Sequence, residues 1–378
     1  MKGSAGLIGD RRGKPSFAQL PLSDPKTFSR FAAHDRENKR MKKIRVEDAV
    51  GMTLCHDLTE MKDGFKGPAF RRGHVITAED IPHMLDMGKR NVFVWEENAG
   101  EIHEEDAAMR MAAMAQVTLA HYTAPSEGKV LLIADAEGMF RVNTALLREI
   151  NLIGDLIVSA LPDHYPVKKG MRLASMRIVP LVTKEEQVLR AEKMCEGRKL
   201  LDLLPYRSLK AGIIIAGSEI YHGRIRDRFE PVAREKLKKY PGEIVGVRVC
   251  DDDTGMLVDS ARELLKKGAD FLIFSGGMSV DPDDVTPAAV RALGCRVVTH
   301  GVPSQPGNMT LMAYLGEIPV IGVPGAAISL PTTIFDAMLP QIYAGVPFTR
   351  DELVNLGNGG LCQMCAACHF PNCTFGRY

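Results

Sequence analysis

From residue 210 to about 345 the sequence alternates apolar β-type runs with stretches of helix length, and this alternation constrains the fold more than any other feature. Strands read at 211–216, 244–250, 270–274, 296–299 and 318–323, and helices at about 228–239, 255–267, 286–293 and 329–343. Strands separated by helices of this length imply βαβ units, hence a parallel sheet covered on both faces, a three-layer αβα arrangement. In open sheets of this kind ligands bind beyond the carboxyl ends of the strands. The loops that follow the strands are therefore where chemistry is sought.

The stretch FLIFSGGMSVDPDDVT, residues 271–286, carries the strongest signal of that type. An apolar run suited to a buried parallel strand, Phe271–Phe274, breaks into Ser275, Gly276 and Gly277. After a short acidic loop, Thr286 followed by Pro287 reads as an N-cap with proline at the first helical position. Paired glycines let a backbone approach a ligand closely, and their N–H groups can form an anion-binding nest. Three more loops fall at strand ends: GSEIYHGRIRD from Gly217, the triplet Asp251, Asp252 and Asp253, and PGAAIS from Pro324 to Ser329. Taken singly, each resembles an ordinary turn. Gathered on one sheet edge, they offer N–H and hydroxyl donors for an anion and carboxylates for a divalent cation.

The rest of the chain sets the frame. Its 378 residues suffice for two or three domains, and a net charge of +1 gives no reason to expect nucleic acid or an anionic membrane as partner. No apolar run approaches bilayer length and the N-terminus lacks the apolar core of a secretory signal, so the cytoplasm is the expected location. Residues 1–40 read as a flexible extension, and 41–205 as an α+β, partly β-rich region. Residues 206–348 form the α/β unit and 349–378 a cysteine-rich tail. In the α+β region helices are expected at about 78–87, 104–118, 143–151 and 184–196, and residues 173–182 as a β-ribbon.

Four of the eight cysteines are scattered and read as small buried hydrophobes; the other four fall in the last seventeen residues. Their pattern is Cys362-x2-Cys365-x2-Cys368-x4-Cys373, close enough to wrap one metal centre. The first spacings match an iron–sulfur run, although its last gap is shorter by one. A four-cysteine zinc site competes with that reading, with His369 as a substitute ligand. Soft thiolates could also bind molybdenum-related species transiently.

GSEIYHGRIRD, the DDD turn, SGGMSVDPDDVTP and VIGVPGAAIS, in that order, resemble the molybdopterin-binding domain of molybdenum-cofactor biosynthesis proteins. DAVGMTLCHDL and FKGPAFRRGHVI resemble the leading region of the molybdopterin molybdotransferases, the gephyrin-like family. The resemblance implies that the loops bind molybdopterin, or its adenylylated form, with Mg²⁺ assisting while molybdate is inserted into the dithiolene. It implies a homodimer as well. By position it places Ser275, Gly276, Gly277 and Ser279 at the phosphate, with Gly217, Ser218, Pro306, Gly307, Asn308, Pro324, Gly325 and Ser329 around the pterin. Asp284, Asp252 and Glu219 would be the catalytic carboxylates, and Asp253 a further metal ligand.

One segment departs from the family. The molybdotransferases carry Lys-Pro-Gly-Lys-Pro before the last strand, where this chain has Gln305, Pro306, Gly307, Asn308 and Met309. The turn is kept and both charges are gone, a loss of two charge-assisted contacts to an oxyanion of roughly 1.5–3 kcal/mol each. Two other functions therefore stay open: a non-catalytic molybdopterin carrier or redox-linked sensor, and a nucleotide pyrophosphate hydrolase, since competence-damage-inducible proteins carry a similar domain.

Overall fold

The computed structural model describes residues 39–62, 65–97, 100–278 and 284–377. The expected extension, apart from its last two residues, and Ser279 lie outside the described residues.

The α/β unit is built on a six-stranded sheet. Its elements are β1 (Leu209–Ala216), α1 (Ser218–Tyr221), α2 (Phe229–Leu237), β2 (Gly242–Cys250), α3 (Thr254–Lys266), β3 (Phe271–Ser275), α4 (Thr286–Ala292), β4 (Arg296–His300), β5 (Leu311–Leu315), β6 (Ile318–Val323), α5 (Ala326–Ser329) and α6 (Ile334–Ala344). The strand order is β2-β1-β3-β6-β5-β4. β2, β1, β3 and β6 run parallel, whereas β5 pairs antiparallel with both of its neighbours.

The sheet is thus mixed, which corrects the all-parallel expectation. β5 and β6 are joined only by Gly316 and Glu317, with Gly316 at φ +58°, and a two-residue turn can join only antiparallel strands.

Alternation along the strands divides the core. Ala211, Ile213, Ile215, Phe271 and Ile273 face α2 and α6, packing on Phe229, Leu237, Phe335, Met338 and Tyr343. Ile214, Ala216, Leu272 and Phe274 face α3 and α4, packing on Leu257, Ala261, Leu264 and Val290. Helices therefore cover both faces of these central strands, which explains their unbroken apolar runs.

Residues before 206 hold two larger cores and one small cluster around Ala108, Ala112 and Val130. One core is formed by Val46, Leu54, Ile76, Met84, Val92 and Val94. The other packs helix Glu104–Ala115 with Leu132, Phe140, Leu146, Ile150 and Met176, around a four-stranded antiparallel sheet and a three-stranded one. The helix stops at Ala115, short of the expected 118, because Gln116 turns left-handed at φ 47°. The expected ribbon over 173–182 is divided: Arg172–Ile178 belongs to the four-stranded sheet, while Val182–Lys184 pairs with Glu101–His103. Pro180, with no N–H for a ladder, lies between them. No helix among the described residues is long and apolar enough to cross a membrane.

Candidate functional site

Register places the loops. Ile215 of β1 pairs with Ser275 of β3, and Ser275 pairs with Val323 of β6. Gly217, Gly276 and Pro324–Gly325 therefore leave three neighbouring parallel strands on one rim, with strands about 4.8 Å apart. Cys250 pairs with Ala216, which brings the acidic triplet to the same rim. Leu311 at the start of β5 pairs with Gly322, so the loop holding Pro306, Gly307 and Asn308 enters there too.

The glycine turn is tightly held. Gly276 and Gly277 have φ +84° and +56°, the left-handed region that side chains disfavour. The Thr286 side chain, fully buried, donates its hydroxyl to the Gly276 carbonyl at 2.7 Å, and the Thr286 N–H donates to the Gly277 carbonyl at 3.2 Å. Since a trans peptide sets its N–H opposite its carbonyl, this tether fixes the direction of the Gly277 N–H. The helix cap falls on Val285, without a side-chain bond, and Thr286 is the first residue of α4. The expectation of Thr286 as N-cap is corrected accordingly: its hydroxyl serves the glycine turn instead.

The acidic triplet is tied to its surroundings. The Asp252 carboxylate accepts the Ser218 N–H at 2.8 Å, linking the ends of β1 and β2. Asp253 caps α3, accepting the Met256 N–H at 2.7 Å. Asp251 lies 3.2 Å from His222 Nε2, and its carboxyl is held below the usual range, first by the Asp252 amide. Glu219 is exposed on α1 and Asp284 is half-buried two residues before Thr286.

Pro306 and Gly307 are buried and Asn308 is exposed. Gly307, at φ +109°, sits where a Cβ would meet Ile334 Cγ2 at 2.8 Å, and the Pro306 carbonyl accepts the Ile334 N–H at 3.3 Å. The turn is thus seated on the first residue of α6. Ser275 is buried at the end of β3, and Gly325 is exposed with nothing within 4 Å of a Cβ. Ser329 closes its own turn, donating to the Ala326 carbonyl at 3.5 Å.

Residues 212–344 match the family model described as a probable molybdopterin binding domain. A molybdopterin molybdenumtransferase of Synechococcus elongatus is 26% identical over 176 residues, which cover 44% of this chain and 44% of that protein. The α/β unit is a molybdopterin-binding domain of molybdenum cofactor biosynthesis.

A CinA-like protein of a Mycobacterium species (strain JLS) is 34% identical over 83 residues, covering 22% of this chain and 20% of that protein. The chain thus spans less than half the length of the curated relatives it matches. Among solved structures, the molybdopterin biosynthesis enzyme MoaB from Thermus thermophilus superposes with a TM-score of 0.31 at 23% identity, covering 37% of this chain and 99% of that one. Residues 43–96 match a domain of unknown function (DUF8806).

Within the molybdopterin-binding domain, the structure gathers the sequence-predicted Gly217, Ser218, Asp252, Ser275, Gly276, Gly277, Pro306, Gly307, Pro324 and Gly325 on one rim. Sequence reasoning missed a buried pair behind it. Lys236 on α2 reaches both oxygens of Asp336 on α6, at 2.7 and 2.8 Å, and the Pro331 carbonyl at 3.1 Å. Asp336 also accepts the Thr333 N–H at 2.9 Å, forming a capping box that orders the residues just after the PGAAIS loop. The two partners are 100 residues apart, so no local pattern announces them.

No group of three or more His, Cys, Asp or Glu side chains among the described residues is placed to hold a metal ion. The rim carboxylates therefore form no all-protein cage.

Proposed function

We propose that this chain acts in molybdenum cofactor biosynthesis by holding molybdopterin, in its adenylylated form, across the rim of the sheet, where molybdate is inserted. The observation that carries the reading is the contact between Gly276 and the end of β1. A Cβ at Gly276 would lie 2.0 Å from the Ala216 carbonyl oxygen, so the turn is bare backbone. Bare backbone with a fixed Gly277 N–H is what a phosphate group needs for close approach.

In this reading the Gly276–Gly277 turn binds the phosphate end of the ligand, and Ser218, set by Asp252, orients the neighbouring loop. Pro306, Gly307 and Asn308 border the pterin together with Pro324, Gly325 and Ser329. Asp252, Asp253, Asp284 and Glu219 are the carboxylates available to Mg²⁺, with Asp253 also spent on its helix. When bound, Mg²⁺ supplies Lewis-acid neutralisation of the phosphoanhydride. Two copies of the chain form the working unit.

A carrier role without turnover is the second reading, favoured by one observation. Gln305 and Asn308 stand where the resemblance implies lysines, so the Gln305–Asn308 turn brings no cation to molybdate. Incubation with adenylylated molybdopterin, Mg²⁺ and molybdate separates the two. Release of AMP with molybdenum retained on the pterin supports the transferase; tight binding without AMP release supports the carrier. Hydrolysis of ADP-ribose in place of pterin binding would overturn both.

A further inference from the structure

The cysteine tail folds as a closed loop pinned to the rim. Its neck is the hydrogen bond from the Gly376 N–H to the Gly359 carbonyl at 3.0 Å. Both sides of the neck are fitted tightly. A Cβ on Gly359 would lie 2.1 Å from the Arg377 carbonyl oxygen, and one on Gly360 would lie 2.3 Å from those of Leu356 and Pro303. Phe375 is buried, and the Arg377 guanidinium lies 4.4 Å from the Tyr165 ring centre. On the entering side, Gln305 donates to the Gly360 carbonyl at 2.7 Å and accepts the Cys362 N–H at 2.8 Å. The loop thus grows from the turn whose family lysines are replaced.

Between these anchors the loop lacks a core of its own. Leu361 and Met364 are 63% and 71% exposed, and Cys365, Cys368 and Cys373 are exposed free thiols, with Cys362 half-buried. A segment this small without a core is ordinarily stapled by disulfides or a metal. The first Cys-x-x-Cys turn is already shaped for thiolate. Met364 takes a left-handed φ of 47°, rare for a side chain of its size, and its N–H points to Cys362 Sγ at 3.4 Å. N–H donors of this kind favour the charged sulfur that a metal binds. Against this, the four sulfurs do not converge as arranged, and Cys368 Sγ is instead 3.1 Å from Thr332 Oγ1.

We propose that Cys362, Cys365, Cys368 and Cys373 form a single thiolate-liganded metal centre, zinc or an iron–sulfur cluster, mounted beside the Gln305–Asn308 turn. Bringing the four sulfurs together requires Cys368 to leave Thr332, while the neck and the Gln305 pairing stay in place. The proposal stands whatever the rim binds.

The test uses the full chain purified without oxygen. Metal and sulfide analysis is expected to give about one zinc per chain, or iron with matching sulfide. The Cys365→Ser/Cys368→Ser variant is expected to lose that metal at least ~tenfold, while Cys295→Ser keeps it. Alkylation mapped by peptide covers the case of a variant that fails to fold: the four tail thiols of the native chain should resist labelling until a chelator is added. Metal content that is negligible, or unchanged in the double variant, would overturn the proposal. Tail thiols labelled equally fast with and without chelator, or found paired as disulfides, would do the same.

Discussion

The ideal Cβ position of Gly276 lies 2.0 Å from the Ala216 carbonyl oxygen, so the turn after β3 and the end of β1 touch backbone to backbone. Two neighbouring strands thereby deliver their loops to one place. Any side chain at 276 would push them apart.

Gly276→Ala is the first expected disruption. The left-handed conformation alone costs about 1–2 kcal/mol for a side chain, and the clash with Ala216 adds to it. Gly277→Ala meets Thr286 Oγ1 at 3.1 Å and the Val285 and Thr286 nitrogens at 3.4 and 3.5 Å, none as close as the 2.0 Å contact at Gly276, and should cost less. Urea unfolding of both variants should rank them in that order. Equal midpoints would mean that the contact with β1 is not tight.

Thr286→Val removes the hydroxyl bonded to the Gly276 carbonyl while keeping shape and burial. The Gly276 carbonyl is half-buried, so the lost hydrogen bond costs about 0.5–1.5 kcal/mol. Thr286→Ser, which keeps the hydroxyl, should restore most of the loss. Pterin affinity should follow the same order, because the tether fixes the Gly277 N–H. Affinity unchanged in Thr286→Val would remove the tether from the account.

Lys236 and Asp336 predict a non-additive pair. Removing one partner of a buried ion pair strands the other, at about 3–5 kcal/mol, whereas replacing both with apolar side chains is much milder. Lys236→Met and Asp336→Leu should each destabilise more than the double variant destabilises relative to either one. Asp336 also caps α6, so the double variant still falls short of the native chain. Additive losses in denaturant midpoint would contradict the pairing.

His103 predicts the pH dependence of stability. It is 4% exposed, and its Nδ1 accepts the Glu105 N–H at 3.3 Å as the N-cap of helix Glu104–Ala115. Burial, and then the charge of Arg72, lower its pKa to about 4. Protonation would abolish the capping acceptor. Between the unfolded value near 6.5 and the folded value, the unfolded chain binds the extra proton. Stability should therefore fall as pH drops through that window, by on the order of 3 kcal/mol, with no further contribution below it. His103→Asn keeps a capping acceptor and cannot titrate, so its stability profile should be flatter over the same range. Identical pH slopes for both proteins would contradict this.

The parts of the fold visible in the sequence were those with local causes. Gly276 and Gly277 were legible because a buried strand ending in two glycines announces a left-handed turn. The strands of the parallel core were legible because burial on both faces leaves unbroken apolar runs. β5 was not, since five apolar residues behind a Pro-Gly turn carry no period to mark a strand. Its antiparallel direction follows from the two-residue connection to β6 alone. Thr286 read as a cap because Thr before Pro has that local meaning, whereas its hydroxyl bond to the Gly276 carbonyl spans ten residues and no local pattern announces it. Asp252 meeting Ser218 and Lys236 meeting Asp336 depend on contacts across the fold that spacing cannot encode.

The most direct measurement is a calorimetric titration of the full chain with molybdopterin, run beside Gly276→Ala and beside a surface control, Lys193→Ala. The account predicts saturable binding by the native chain and the control, strengthened by Mg²⁺, and at least ~tenfold weaker binding by Gly276→Ala, equivalent to about 1.4 kcal/mol. Binding of the same strength in Gly276→Ala, or none in the native chain, would contradict the placement of the pterin on this rim.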